Sequence, residues 1–189
     1  ALKMPQDSLF VRTMLPKTTL KNGVIDLKEA SYYVKSFGID NAELAYGPKE
    51  ELFLQQIGLQ LDSIYYCGKD IRANIEEFVL KERSGLELVS TEGRIVSDSV
   101  LIEIPKFTMK TTASSLDLQT KIGWDVLEMK KTGVLSAKIN AEIGKGDVAK
   151  ILGGRDTLFL QTYPNKPFVF RADAEGNLNS LRLRTLEAG

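Results

Sequence analysis

The chain of 189 residues contains no histidine and a single cysteine, Cys67. The absence of histidine removes the commonest general base, the commonest metal ligand and the usual switch near neutral pH. One cysteine allows neither an internal disulfide nor a cysteine-based zinc cluster. We therefore expect no metal, no cofactor and no catalytic residue, and we interpret Cys67 as a small, half-buried core residue.

Two further absences narrow the class of protein. No apolar run approaches the roughly 18 residues that a membrane-spanning helix needs. The 25 Lys and Arg residues equal the 25 Asp and Glu residues, so the formal net charge is zero. A neutral chain without a dense basic cluster has no electrostatic footprint for nucleic acid, and we expect no nucleic-acid partner.

The dominant pattern that is present has a period of two. In the run from Ser115 to Trp124, apolar or Thr side chains occupy every even position. Successive side chains of a β-strand point to opposite faces, so such a segment has one apolar face and one polar face. The same alternation recurs in several other segments, from Ile57 to Leu61, from Ile71 to Ile75, from Leu135 to Ile143 and from Phe168 to Ala174.

The alternation slips by one residue at three places. It resumes at Ile64 after Leu61, at Phe78 after Ile75, and at Phe107 after Ile104. A β-bulge produces this slip, because two residues on one strand then oppose a single residue on its neighbour. Pro105 lies within the third slip and cannot donate a hydrogen bond to a sheet, which marks a bulge or an edge.

Gly-containing turn signals separate these segments, and they predict antiparallel hairpins. The predicted fold is all-β, a long curved antiparallel sheet with at most one or two short helices. The best helical segment is Asp147 to Leu152, with Asp147 as its N-cap and Gly153-Gly154 at its end. We interpret residues 1–189 as a single β-rich segment, a piece of a larger polypeptide.

Carboxylate and hydroxyl groups are present, but no pattern among them favours an enzyme. Glu76-Glu77 is interpreted as a solvated bulge rather than an acid–base pair. No histidine completes a nucleophile cluster with Asp98 and Ser99. The segment Gly144 to Lys150 lacks the spacing of a phosphate loop and is better explained as a turn into a helix.

A sheet with one apolar face must bury that face against something. The sequence offers no long helix as a second layer, so the sheet closes on itself, forms a sandwich, or stays open and takes lipid acyl chains. The period-two placement predicts that one set of apolar residues shares a continuous, lipid-facing groove surface. These residues are Leu59, Leu61, Leu116, Leu118, Ile122, Trp124, Ile139, Phe168 and Phe170.

Several motifs between about residue 50 and residue 120 resemble a known family. They are the run Leu59 to Ile75, with Tyr65-Tyr66-Cys67-Gly68 at its centre, the run Phe78 to Leu88 with Glu82-Arg83-Ser84-Gly85, and the run Met109 to Leu116. Together they resemble the TamB branch of the AsmA-like family, as found in Bacteroidetes-type bacteria. The segment Thr111 to Ser115 departs slightly from the family pattern, and the tail from Tyr163 to Leu183 fits it.

The resemblance implies a periplasmic protein that is anchored in the inner membrane by a segment outside this chain. It implies that the long curved sheet is folded into a taco-like or partly closed groove with a hydrophobic lining. This β-groove is expected to conduct phospholipid toward the outer membrane and to support outer-membrane assembly with a barrel partner. The alternative, from another class, is a non-enzymatic structural or adaptor domain that binds a partner protein by strand addition.

Overall fold

The computed structural model describes residues 11–15, 17–47, 52–129, 133–153 and 155–189. It contains eleven strands and three short helices within those ranges. The strands are β1 (Val11–Met14), β2 (Lys17–Asp26), β3 (Ser31–Tyr46), β4 (Leu52–Cys67), β5 (Asp70–Glu82), β6 (Glu87–Ser97), β7 (Leu101–Thr111), β8 (Ser115–Gly123), β9 (Leu135–Ile143), β10 (Phe168–Asn177) and β11 (Ser180–Ala188). The helices are α1 (Trp124–Leu127), α2 (Lys145–Leu152) and α3 (Thr157–Thr162).

All eleven strands belong to one open antiparallel sheet, and 69% of the described residues lie in strands. From β3 onward each strand pairs with the next one in the chain, so the connections are hairpins or short helical insertions. Strands β1 and β2 both pair with β3 and together form one edge, while β11 forms the other edge. The predicted all-β, antiparallel architecture is confirmed, with three short helices where one or two were expected.

The structure contains all three bulges that the slips in the alternation predicted. The register between β4 and β5 shifts between Asp62 and Tyr65, and again where Glu76 has no opposite residue. The register between β7 and β8 shifts between Ile104 and Phe107, around Pro105. Each bulge restores the apolar residues beyond it to the same face of the sheet, because the inserted residue compensates the change of phase.

The predicted helix is present, but it begins at Lys145 and not at Asp147 as predicted. Helix α2 begins at Lys145 with Gly144 at its N-cap, and Asp147 lies inside the first turn rather than capping it. Its predicted end at Gly153 is confirmed, since this residue closes the helix in the left-handed conformation with φ of 56°, whereas Gly154 lies outside the described residues. That conformation is accessible to Gly without the steric cost that a Cβ atom brings.

The sheet has no enclosed hydrophobic core in the described part of the chain. Its buried apolar residues are few and mostly small, namely Ala42, Ala45, Leu88 and Val126. The chain exposes 12886 Å² of surface, whereas a compact monomer of 21.0 kDa would expose about 9,000 Å². The excess indicates a single-layer sheet whose apolar face is only half-buried.

Candidate functional site

One row of paired residues crosses the whole sheet and carries only apolar side chains or none. Residues directly opposite each other in paired antiparallel strands point to the same face, so a row can be followed from strand to strand. We call this the central row; it consists of Leu20, Phe37, Leu61, Ile75, Gly93, Phe107, Leu118, Ile139, Ala172 and Leu186. Nine strand spacings of about 4.8 Å make it about 43 Å long.

Uncharged rows flank the central row on the same face. Toward the turn between β6 and β7 lie Ile25, Tyr32, Tyr66, Ile71, Ser97, Ile102, Ile122, Leu135, Gly176 and Leu181. Toward the opposite end lie Thr18, Ile39, Leu59 and Phe78 on one half of the sheet, and Thr91, Met109, Leu116, Ala141, Phe170 and Ala188 on the other. We call the central row and these flanking rows together the apolar band.

The opposite face of the sheet is polar and charged. From β5 to β11 one of its rows reads Arg72, Val96, Glu103, Lys121, Ser136, Glu175 and Arg182, and the same row continues across β4, β3 and β2 as Tyr65, Tyr33 and Val24. Ion pairs join neighbouring strands on this face, with Lys121 Nζ 3.0 Å from Glu103 Oε1 and Arg171 Nη1 3.2 Å from Glu187 Oε2. From β5 to β11 the sheet therefore separates the two chemistries, with one face suited to water and the other to hydrocarbon, whereas on β2 to β4 the second face is less polar.

The register places eight of the nine predicted groove residues on the apolar face. Leu61, Leu118 and Ile139 belong to the central row. The other five lie in the flanking rows or, for Phe168, two residues beyond one on the same strand. Those five are Leu59, Leu116, Ile122, Phe168 and Phe170, and all eight are half-buried. Their contact with lipid remains a prediction.

Trp124 does not lie on a strand as predicted. Strand β8 ends at Gly123, and Trp124 opens the single turn of α1 at the end of the sheet. Its indole N–H donates a hydrogen bond to the carbonyl oxygen of Asp98 at 2.8 Å. The ammonium group of Lys69 lies 4.9 Å from the ring centroid and 3.0 Å from Glu128 Oε1. Period two cannot foresee this, because a backbone turn interrupts the alternation immediately before the residue.

Sequence reasoning missed several members of the central row. Ile75 and Phe107 were recognised as alternating residues but were not assigned to the groove. Leu20 and Phe37 went unassigned although they lie in alternating stretches, and Leu186 follows Leu183 across a slip that resembles the other three. Treating every one-residue slip as a bulge would have found Leu186, since the register indeed shifts between Asp173 and Ala174 opposite it.

A cluster of hydroxyl groups around Asp147 attaches α2 to the turn between β7 and β8. Asp147 is 2% exposed, and its carboxylate accepts hydrogen bonds from the hydroxyls of Thr111, Ser114 (2.6 Å) and Thr112 (3.2 Å). Burial raises its pKa, but the bonds from Ser114, Thr111 and Thr112 outweigh this and the pKa is lowered overall. Thr111 is opposite Leu88, so this cluster bounds the apolar face at one end.

The described residues offer little for other kinds of chemistry. None of their His, Cys, Asp and Glu side chains form a group of three or more that could hold a metal ion. Within the described ranges, no helix has the length and apolar character needed to cross a bilayer. Asp98, drawn beside Ser99 in the sequence, accepts hydrogen bonds from the N–H groups of Val100 and Leu101 and thereby shapes a turn.

The candidate site is therefore a surface rather than a pocket, an uncharged band that crosses the sheet and reaches both of its edges. The resemblance to the AsmA-like family stands on the sequence motifs alone. No family model, no curated protein and no solved structure matches the chain.

Proposed function

We propose that this chain is a segment of a periplasm-spanning, TamB-like protein whose apolar band carries the acyl chains of phospholipids toward the outer membrane. The observation that carries the proposal is the central row, which runs about 43 Å across the sheet without a charged residue. The band is open at β2 and at β11, where Leu20 is 60% and Leu186 is 60% exposed. Lipid would thus travel across the strands, from one edge of the sheet to the other.

The length of the central row suits hydrocarbon chains. The hydrocarbon core of a bilayer is about 30 Å thick, so one tail spans about 15 Å, and the band can hold more than one tail end to end. Each buried CH₂ group contributes about 0.8 kcal/mol, so a tail of about 16 carbons gains on the order of 10 kcal/mol gross. A tail can also move from strand to strand without desolvating a charge, which would otherwise cost several kcal/mol.

Photo-crosslinking at positions that point to opposite faces of the sheet tests the proposal. A crosslinking residue is introduced at position 118, 139 or 119, and the purified chain is incubated with vesicles of phosphatidylethanolamine and phosphatidylglycerol. Leu118 and Ile139 are opposite each other on the apolar face, whereas Gln119 is opposite Lys138 on the polar face. We expect phospholipid adducts at 118 and 139 and none at 119.

Arginine substitutions give a second readout in the full-length protein. Leu118→Arg or Ile139→Arg should block lipid transfer, because the charge interrupts the central row where a tail must cross it. The strands should remain formed, since the long Arg stem can reach toward water, and circular dichroism verifies this. Gln119→Arg is the matched control and should transfer lipid normally. Equal crosslinking at all three positions, or full transfer by both inward Arg variants, would overturn the proposal.

The second candidate function is a structural or adaptor domain that binds a partner protein, for example an outer-membrane barrel protein, by strand addition. The exposed edges favour it, because every described residue of β2 and β11 is exposed and the outer side of an edge strand offers free N–H and C=O groups. A partner that protects the amides of an edge strand from hydrogen exchange, with no phospholipid adduct at positions 118 and 139, would support this function instead.

A further inference from the structure

The connections at one end of the sheet expose large apolar side chains. Because the strands are antiparallel, the connections from β2 to β3, β4 to β5, β6 to β7, β8 to β9 and β10 to β11 all lie at the same end, which we call the tip end. Four of these five connections carry a large apolar side chain that is between 51% and 87% exposed. We call these side chains the tip residues; they are Leu27, Val100, Leu127, Met129 and Leu178.

The hairpin turns at the opposite end of the sheet differ in composition. Within the described ranges, the turns at residues 83–86 and 112–114 expose no large apolar side chain. The helical insertion between β9 and β10 does expose Ile151, Leu158 and Phe159 at that end. Single exposed apolar residues are common on protein surfaces, but one in nearly every connection of a single end is a pattern that calls for an apolar environment there.

The tip residues are continuous with the apolar band. Leu27 follows Ile25 by two residues, and Val100 precedes Ile102 by two. Leu178 follows Gly176, again by two residues. Ile25, Ile102 and Gly176 all belong to the flanking row that runs nearest the tip end. The uncharged surface of the band therefore reaches the tips of the hairpins.

Aromatic residues with polar ends lie directly behind the tips. Tyr32 and Tyr66 pair on the apolar face with ring centroids 5.9 Å apart, and Tyr33 pairs with Tyr65 on the other face. Trp124 precedes the tip residues of the connection between β8 and β9. Tyr and Trp are enriched at the headgroup level of bilayers, because one end of the ring is apolar and the other is wet. Apolar tips with such rings behind them match the order of layers in a membrane surface.

The charges of the tip end are largely compensated within the chain. Lys69 Nζ lies 3.0 Å from Glu128 Oε1, and Arg72 Nη2 lies 3.0 Å from Asp70 Oδ2. The carboxylate of Asp98 accepts two N–H groups of its own turn. A surface with paired charges complements phosphatidylcholine and phosphatidylethanolamine, whose headgroups carry one charge of each sign. It offers no excess of positive charge that would require an anionic membrane.

We propose that the tip end docks on a phospholipid bilayer, with the tip residues among the acyl chains and the tyrosine and tryptophan rings at the headgroups. The inference rests on the proposed function and places this segment where the longer protein meets a membrane. The central row then runs parallel to the bilayer surface. Phospholipid would pass between the bilayer and the apolar band over the hairpin tips, where the apolar surface is continuous.

Vesicle co-sedimentation of the purified chain tests the docking. The vesicles contain phosphatidylcholine and phosphatidylethanolamine without anionic lipid. Leu27→Glu, Val100→Glu and Leu178→Glu, each in a different connection, should each lower vesicle affinity roughly tenfold or more, and their combination should abolish binding. Added salt should change the affinity little, because the binding is apolar. Circular dichroism verifies that each variant retains its strands.

Leu158→Glu is the matched control for the tip variants. Leu158 is 75% exposed but lies in α3, at the opposite end of the sheet. Its replacement should leave vesicle binding unchanged if the tip end makes the contact. Binding that is lost in Leu158→Glu and retained in the combined tip variant would overturn the proposal and place the contact at the helical insertion.

Trp124 is the single tryptophan of the chain and serves as a probe of the tip end. Phospholipid brominated near the top of its acyl chains should quench Trp124 fluorescence when the chain binds vesicles. A Trp124→Phe, Leu158→Trp variant, with its probe at the opposite end, should bind vesicles without quenching. Quenching only in this second variant would also overturn the proposal.

Two further outcomes separate this proposal from its alternatives. Self-association that the combined tip variant abolishes, with no vesicle binding by the unmodified chain, would replace the bilayer with a second copy as the occupant of the tip end. Phospholipid adducts at positions 118 and 139 without vesicle binding would overturn the docking and leave the proposed function standing. Vesicle binding without those adducts would support the docking and count against the proposed function.

Discussion

The ring of Phe107 packs directly on the backbone of Gly93, its paired residue in the neighbouring strand. A Cβ atom built on Gly93 would lie 2.8 Å from Cδ2 of Phe107 and 3.4 Å from the carbonyl oxygen of Lys106. The central row thus continues across β6 without a side chain from that strand, because the aromatic ring of β7 covers the gap. Gly93 is required here for space rather than for an unusual backbone conformation.

We therefore predict that Gly93→Ala destabilises the sheet by about 1–3 kcal/mol, since the new methyl group displaces the ring. Urea unfolding followed by tryptophan fluorescence measures the change. The control is Gly146→Ala in α2, where a Cβ atom would lie 3.5 Å from Cβ of Ala113, an ordinary contact. That variant should be neutral or slightly stabilising, and an equal loss in both variants would contradict the steric explanation.

Thr91 carries a buried hydroxyl group that accepts and donates no hydrogen bond among the described residues. It is 2% exposed and lies opposite Met109 in the apolar band. Replacing it with Val keeps the shape and removes the unpaired polar atom, so Thr91→Val should stabilise the chain by about 1–2 kcal/mol. Thermal unfolding measures this as a higher Tm.

Ser97→Ala is the matched comparison for Thr91→Val. Ser97 is equally buried at 2% exposed, but its hydroxyl donates to the carbonyl oxygen of Leu101 at 3.2 Å. Removing a satisfied hydroxyl should lower the Tm, opposite in sign to the effect at Thr91. A lower Tm in Thr91→Val would show that its hydroxyl is hydrogen-bonded in solution.

The hydrogen bonds to Asp147 should hold α2 against the turn between β7 and β8. Asp147→Ala removes the common acceptor of three hydroxyl groups, so we expect a loss of about 1–3 kcal/mol and faster hydrogen exchange of the α2 amides. Asp117→Ala, an exposed residue of the polar face, should change neither quantity. Unchanged exchange in Asp147→Ala would mean that α2 is held by other contacts.

The same cluster should make stability depend on pH. The folded pKa of Asp147 is below its ordinary value of 3.8, so its contribution is fully present well above pH 3.8. It is lost as the pH falls through 3.8 toward the lower folded value. Chemical unfolding between about pH 5 and pH 2 should therefore show a steeper loss in the unmodified chain than in Asp147→Asn. Parallel curves would contradict this assignment.

The sequence alone predicted the strands in which the alternation is clear, namely β4, β5, β7, β8, β9 and β10, but it did not predict β1, β2, β3 or β6. Side chains alternate in every strand, so the apolar pattern predicted the antiparallel sheet, and its slips predicted the bulges at Glu76 and Pro105. It also predicted which side chains within one strand share a face, such as Leu116 and Leu118 in β8. These features are local, since the backbone geometry of one strand fixes which way each of its side chains points.

Only the tertiary structure decided which residues of different strands meet. The central row depends on the register between neighbouring strands, and the pairs Leu61 with Ile75 and Gly93 with Phe107 exist only once the hairpins are closed. The place of Trp124 beside Asp98, and of Asp147 among three hydroxyls rather than at a helix cap, likewise depends on contacts between segments distant in the chain. Alternation describes one strand at a time, whereas hydrogen bonds between strands and insertions decide what each face becomes.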